Sequence, residues 1–315
     1  MASISKRANP IQSFQIAPEK DTVVTGVKGT SIFIKSNSLV FENGEPVKSE
    51  ISLSLKEVYT VSEMILNGLT TTSKGELLET SGMINLTATS EGKPLKLKAE
   101  FPLKIRFKNI SNAPSMRTYI GSRDSALIDW QLDAENVYDT TKFKKEIEAL
   151  YELPYGVDSV GIFEETYGVI GSDTILLERE MKYDDSNLDY AKASLLFYEL
   201  HTTKLNWINC DYFIGSIDTV DVLVRISDES KALTFILFKE YNSIMAFSEY
   251  KSGEYVFRNI PRGSLVTLLS IYTLDSNYFL AMKDVTLKRD KQQIILDFNK
   301  FNLEDFEGQI NSLND

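Results

Sequence analysis

The sequence predicts a mainly β chain. Two antiparallel β-sandwich modules, residues 11–110 and 216–300, are joined by a mixed α/β connector at 111–215 and followed by a tail at 301–315. Three observations carry this expectation. Leu95, Leu97, Ala99, Phe101, Leu103, Ile105 and Phe107 alternate with polar residues, the two-residue period of half-buried strands. The C-terminal third holds short apolar runs separated by turn signals, a spacing that suits a sandwich rather than a parallel sheet. Aromatic residues, 17 Phe and 15 Tyr, spread along the chain, so each half has material for its own core.

Within the first module, SIFIK at Ser31 to Lys35 is a short strand candidate. The Asn43-Gly44 pair marks a tight turn ahead of the alternating run Ile51, Leu53, Leu55. SEMIL, Ser62 to Leu66, predicts a helical turn with Ser62 as its cap. Ile84, Leu86 and Ala88 form a further alternating strand. Pro102 has no N–H to give a ladder, so the long run is expected to break there into two strands.

In the connector, TTKFKKEIEALYELP predicts the clearest helix, with Phe143, Ile147 and Leu150 on one face and Pro154 as its stop. SNLDYAKASLLFYEL reads as helix or buried strand with equal force. In the last module Val220, Val222, Val224 and Ile226 alternate with polar partners, and ALTFILF is apolar on both parities, as a central strand would be. EYVF, a turn at Asn259 to Gly263, SLVTLLSIY, a turn at Asp275 to Asn277, YFLAM, DVTLKR and IILDF complete it. After Phe301 the chain is acidic, with a weak helical cue.

With 34 Lys and Arg against 45 Asp and Glu, the formal charge is −11. Such a chain is repelled by phosphate backbones and anionic lipid, so neither nucleic acid nor a membrane surface is an expected partner. No apolar run has the length of a membrane-spanning helix. MASISKRANP carries basic residues without a following apolar region, so no signal peptide is read there.

There is one cysteine, Cys210, and one histidine, His201. Any nucleophile–imidazole dyad must use His201. Cys210 lies among Trp207, Ile208, Tyr212 and Phe213, surroundings in which a thiol behaves as a small core hydrophobe. Structural zinc wants four ligands, mostly Cys and His, and the chain holds two such residues. Asp185, Asn187 and Asp189 begin like a calcium loop but lack its later Gly and Glu. Glu164 and Glu165 are adjacent, so on a strand they face opposite ways. No phosphate loop or dinucleotide fingerprint occurs. The expectation is therefore no metal, no cofactor and no catalytic residue. Lys96, Lys98, Lys104, Arg106 and Lys108, on the polar parity of the long run, are the candidate binding residues. They suit an acidic partner but lack the aromatic interleaving that stacks bases.

Two stretches resemble a large group of Bacteroidota envelope proteins, often lipoproteins. One is DTVVTGVKGTSIFIK through TSEGKPLKLK, similar to the N-terminal β module of that group. The other is KLNWINCDYF, Lys204 to Phe213, similar to its "LGWINCDRF" segment. Asn206 stands where those proteins carry Gly, and Tyr212 where they carry Arg. SGEYVFRNIPRGSLVTL resembles the strand junction of transthyretin-like or Ig-like modules of the same phylum. The resemblance implies export, a lipid anchor on a processed N-terminus, and no assigned catalytic residues. The expected function is a non-enzymatic envelope or surface binding or scaffold protein, its protein or glycan partner unspecified. A virion or secretion-apparatus subunit is the alternative, and a carboxylate-dependent glycoside hydrolase the third reading.

Overall fold

In the computed structural model the described residues are 10–108, 116–123, 127–133, 162–169, 175–182, 195–215, 218–226, 232–251, 253–275 and 277–314. The predicted helix at 140–150 and the Asp185–Asp189 acids lie outside them. The chain is mainly β. Its first part runs β1 (Gln12–Ile16), β2 (Thr22–Thr25), β3 (Ser31–Ile34), β4 (Leu39–Phe41), β5 (Ile51–Val58), helix α1 (Val61–Asn67), β6 (Thr72–Ser73), β7 (Glu76–Ser90), β8 (Lys93–Leu97) and β9 (Leu103–Lys108). It continues through β10 (Arg117–Ser122), β11 (Asp129–Leu132), β12 (Ile162–Val169), β13 (Ile175–Lys182), β14 (Leu195–Thr202) and β15 (Asn206–Phe213). These strands form a nine-stranded sheet, β1-β5-β7-β15-β10-β11 with β4, β6 and β8 attached, and a six-stranded sheet, β12-β13-β14-β9-β3-β2.

The two sheets face each other across one apolar core. Leu53, Leu55, Ile84, Leu86, Ile208 and Cys210 enter it from the larger sheet, and Ile32, Ile34, Leu103, Ile105, Phe107 and Leu200 from the smaller. Both sets sit at alternate positions, as the pleat requires. The chain changes sheet where Pro102 was expected to break it: β8 pairs with β7 and β4, whereas β9 pairs with β3 and β14.

The segment expected to be a connector is built into this sandwich. Its described strands β10, β11 and β15 complete the larger sheet, and β12, β13 and β14 the smaller. The reason is its bipartite apolar content. Leu200 lies in the core from one sheet, and Ile208 and Cys210 from the other, joined by a short link. The SNLDYAKASLLFYEL ambiguity resolves to strand for Leu195 onward. Helix α1 begins two residues earlier than expected. Its cap is Thr60, which forms a reciprocal capping box with Glu63, rather than Ser62.

The C-terminal part comprises β16 (Thr219–Ile226), β17 (Leu233–Phe238), β18 (Ile244–Ala246), β19 (Glu249–Lys251), β20 (Glu254–Pro261), β21 (Leu265–Leu274), β22 (Asn277–Thr286), β23 (Gln292–Leu296), β24 (Asn299–Phe301) and helix α2 (Leu303–Asn311). A four-stranded sheet, β19-β20-β16-β23, packs on a five-stranded sheet, β18-β17-β21-β22-β24, around Val222, Val224, Phe257, Val266, Leu268 and Ile294. The pairs are antiparallel apart from β16 with β23. Two turn expectations shift. The run Asn259–Pro261 continues β20, with the turn at Arg262–Ser264, and YFLAM merges with the start of DVTLKR, Asp284 to Thr286, into the single strand β22.

A third core joins the two sandwiches. Val58, Met64, Leu78, Met83, Tyr119 and Trp130 from the first part meet Phe235, Leu237, Ile244, Leu269, Ile271, Phe306 and Ile310 from the second. This explains why ALTFILF is apolar on both parities: Ile236 and Phe238 face the C-terminal core, Phe235 and Leu237 the shared one. The tail is part of it, since Phe306 and Ile310 of α2 are fully buried. Direct hydrogen bonds reinforce the seam. Thr71 N–H donates to the Ile244 carbonyl at 2.8 Å, Thr80 N–H to that of Asn242 at 3.1 Å, and the Asn242 side chain to that of Thr80 at 2.9 Å. The layer order is therefore six-stranded sheet, nine-stranded sheet, five-stranded sheet and four-stranded sheet, with an apolar core at each interface.

Candidate functional site

The five cations of the long run do not share one face, because the chain changes sheet between them. Lys96 points outward from β8 and its ammonium donates to the Glu42 carbonyl at 2.6 Å. Lys98 lies on the crossing segment, 5.6 Å from the Phe101 ring centroid. Lys104 and Arg106 stand on the outer face of the six-stranded sheet, since Leu103, Ile105 and Phe107 take the inward positions. Lys108 ends the same strand, and its side chain lies outside the described residues.

On that outer face the strand register assembles a cluster no local pattern contains. Val23, Phe33, Lys104 and His201 are consecutive partners across β2, β3, β9 and β14. Thr25, Ser31, Arg106 and Glu199 form the adjacent row. Phe33 is the hub: the Lys104 ammonium is 5.6 Å and the Arg106 guanidinium 5.1 Å from its ring centroid, within cation–π range. The aromatic company that β9 lacks in sequence is thus supplied by β3. The signal for Phe33 was present in SIFIK. Ile32 and Ile34 point into the core, so Phe33 had to share the outward parity with Ser31 and Lys35. Val23 is 54% exposed, and the Thr25 and Ser31 hydroxyls lie 3.2 Å apart beside it.

His201 and Cys210 are not brought together as a dyad. Leu200 and Thr202 are buried, so His201 faces outward on the six-stranded sheet. Cys210 is fully buried in the core from the nine-stranded sheet, where burial, and then Asp211, push its thiol well above the ordinary range. Such a thiol is protonated and poorly nucleophilic.

The polar residues beside it were not singled out from the sequence. At a β-bulge between Cys210 and Asp211, opposite Gly82, Asn209 and Asp211 turn toward the shared core. Gly82 adopts a φ of 146°, and a Cβ there would meet the Tyr59 ring at 2.5 Å, so the bulge needs glycine. The Asn209 amide donates to Asp211 Oδ2 at 2.6 Å, and Thr80 Oγ1 donates to Asn209 Oδ1 at 2.7 Å. Asp211 Oδ1 is buried with no hydrogen-bond partner among the described residues. Burial pushes this carboxyl well above its ordinary value, against the lowering effect of Thr80 and Asn209, which favours its protonated form. Tyr119 nearby is pushed up to about 12, by burial first and Asp211 second.

A second buried acid is spent on the chain itself. Glu57, 2% exposed, accepts from Thr30 N–H at 3.0 Å, Lys28 N–H at 3.0 Å and the Gln12 amide at 2.8 Å, fastening the β2–β3 turn to β5. Glu63 accepts from Tyr59 N–H at 2.9 Å and pairs with Lys28. Glu164 and Glu165 lie on β12, and their side chains lie outside the described residues. Among the described residues no group of three His, Cys, Asp or Glu side chains could hold a metal ion. None of the described helices is long and apolar enough to cross a membrane.

The chain matches no family model, no curated protein and no solved structure.

Proposed function

We propose that this chain is a non-enzymatic binding or scaffold protein of a bacterial envelope or cell surface, of the Bacteroidota kind its sequence resembles. The observation that carries the reading is the shared core. It fuses two sandwiches into one stack, leaving the cation-bearing face of the six-stranded sheet at one end and the outer face of the four-stranded sheet at the other. A molecule that must present a surface at a fixed distance from an anchor gains from such fusion, because docked modules lose their freedom to pivot. The internal use of Glu57, Glu63, Asp211 and Cys210 also supports it, since Glu57 and Glu63 bond local backbone, Asp211 accepts from Asn209 and Cys210 lies in the first core.

The test is cellular. Mapping the native N-terminus and fractionating the source cell should find the chain in the envelope, carrying a processed and lipidated N-terminus. Recovery in purified virus particles or an isolated secretion apparatus would favour the structural-subunit reading. Turnover of any polysaccharide by the purified chain would overturn the non-enzymatic reading.

A further inference from the structure

We infer that this chain pairs with a second copy of itself through β23, the free edge of the four-stranded sheet, so that the two sheets run on as one. The inference goes beyond the envelope reading and stands apart from it. Among the described residues, β23 (Gln292–Leu296) bonds only to β16 and ends the order β19-β20-β16-β23. An open edge presents unpaired N–H and C=O groups, and native edges are ordinarily blunted by shortness, charge or proline. The other terminal strands whose side chains are described are blunted in these ways. β18, β19 and β24 have three residues each, and β19 carries Glu249 and Lys251. β2 and β11 have four, β2 following Asp21 and β11 beginning with Asp129. β1 lies between Pro10 and Pro18, and its exposed positions are Ser13 and Gln15. β23 uses none of these devices. Gln-Gln-Ile-Ile-Leu holds no charge and no proline, and Ile295 projects from the outer face, 59% exposed, while Ile294 and Leu296 fill the core.

The residues that bound β23 argue for a second copy as its partner. Lys291 precedes the strand and Asp297 follows it, both exposed. The Lys291 N–H donates to the Asp221 carbonyl at 2.8 Å, which fixes the turn against the start of β16. In an antiparallel pair centred on Ile294, Gln293 lies opposite Ile295 of the second copy, and Lys291 opposite Asp297 of the second copy. The twofold axis repeats the contact, so an ion pair closes each end of the new ladder. A parallel pair in register would set lysine against lysine and aspartate against aspartate, which destabilises it. The strand is thus complementary to itself reversed, as an isologous interface requires. Parity is kept as well: Gln293 and Ile295 share the outer face, and Ile294 meets its own copy on the inner one. The net charge of −11 opposes approach, but at about 0.15 M ionic strength it is screened beyond about 8 Å. One five-residue ladder falls at the low end of interface sizes, below roughly 1,200 Å², so the dimer is weak and concentration-dependent.

The experiment is sedimentation equilibrium of the full chain at moderate salt. Over roughly a hundredfold range of concentration, monomer should pass to dimer and no further. Ile295→Lys charges the exposed position of the edge and should weaken the dimer at least tenfold while melting like the wild type. Lys291→Glu and Asp297→Lys each set like charges opposite one another at both ends, and each should weaken it at least threefold. Mixed in equal amounts, these two variants should form the dimer that neither forms alone, because both ends then join opposite charges. The double variant Lys291→Glu/Asp297→Lys should recover it unaided. Ser13→Lys, on the edge strand β1, should dimerise unchanged. A monomer throughout, mass beyond the dimer, a dimer indifferent to Ile295→Lys, or a mixture no tighter than its components would each overturn the inference.

Discussion

Asp211 shows how one side chain sets a property of the whole chain. The folded protein keeps a proton on this carboxyl that the unfolded protein releases above the ordinary value of 3.8. Between that value and the raised folded one the native state binds more protons, so stability falls as pH rises through the window. Asp211→Asn keeps an acceptor for the Asn209 amide and has no proton to lose. Urea melts from pH 5 to 8 should show the wild type weakening with rising pH and the variant more stable at pH 8, with a flatter slope. An unchanged slope would mean that Asp211 is ionised in the fold. Gly26 and Glu57 make a second residue-scale case. A Cβ on Gly26 would meet the Glu57 carboxylate at 2.3–2.6 Å, so Gly26→Ala must displace it from the N–H groups it serves. Glu57→Ala, which leaves Lys28 and Thr30 N–H unpaired, is expected to be destabilised by about 2–4 kcal/mol. With Glu57 already gone, Gly26→Ala should cost little more, and a double-mutant cycle that closes additively would refute the contact.

At the scale of the element, α2 is the piece whose importance its sequence hides. Phe306 and Ile310 insert fully into the shared core, Phe306 stacking on Tyr278 at 4.8 Å between centroids. The following turn returns to the first sandwich, where Asn314 accepts from Ser62 N–H at 3.1 Å and donates to Ser62 Oγ at 2.7 Å. Phe306→Ala should therefore cost about 3–5 kcal/mol by denaturant unfolding, as a buried aromatic deletion does. Asn314→Ala should cost about 1 kcal/mol, the net worth of an ordinary hydrogen bond. A silent Phe306→Ala would show that the helix is an appendage.

At the scale of the whole molecule, the shared core predicts cooperativity. Neither sandwich can lose its fold without exposing the apolar face of the other, so calorimetry should record one unfolding transition for the described unit. Phe235→Ala, on the seam, should lower that single transition rather than split it. Two separated transitions would mean that the modules are only tethered. Residues 216–315 expressed alone should expose Phe235, Leu237, Leu269 and Ile271 and self-associate.

Sequence by itself determined what local chemistry controls. The two-residue alternation set which parity of each strand is buried, Pro102 placed the break in the long run, and the twofold apolarity of ALTFILF marked a strand covered on both sides. Only the tertiary structure decided what depends on partners distant along the chain. β14 and β15 leave the expected connector for two different sheets, the helical tail becomes a wedge between sandwiches, and five cations read as one row divide between layers. The physical reason is common to all three. Alternation says which way a side chain points but not which strand lies beside it, and strand pairing and core docking are selected by the summed burial of residues scores of positions apart. Phe33 meets Arg106 for that reason alone.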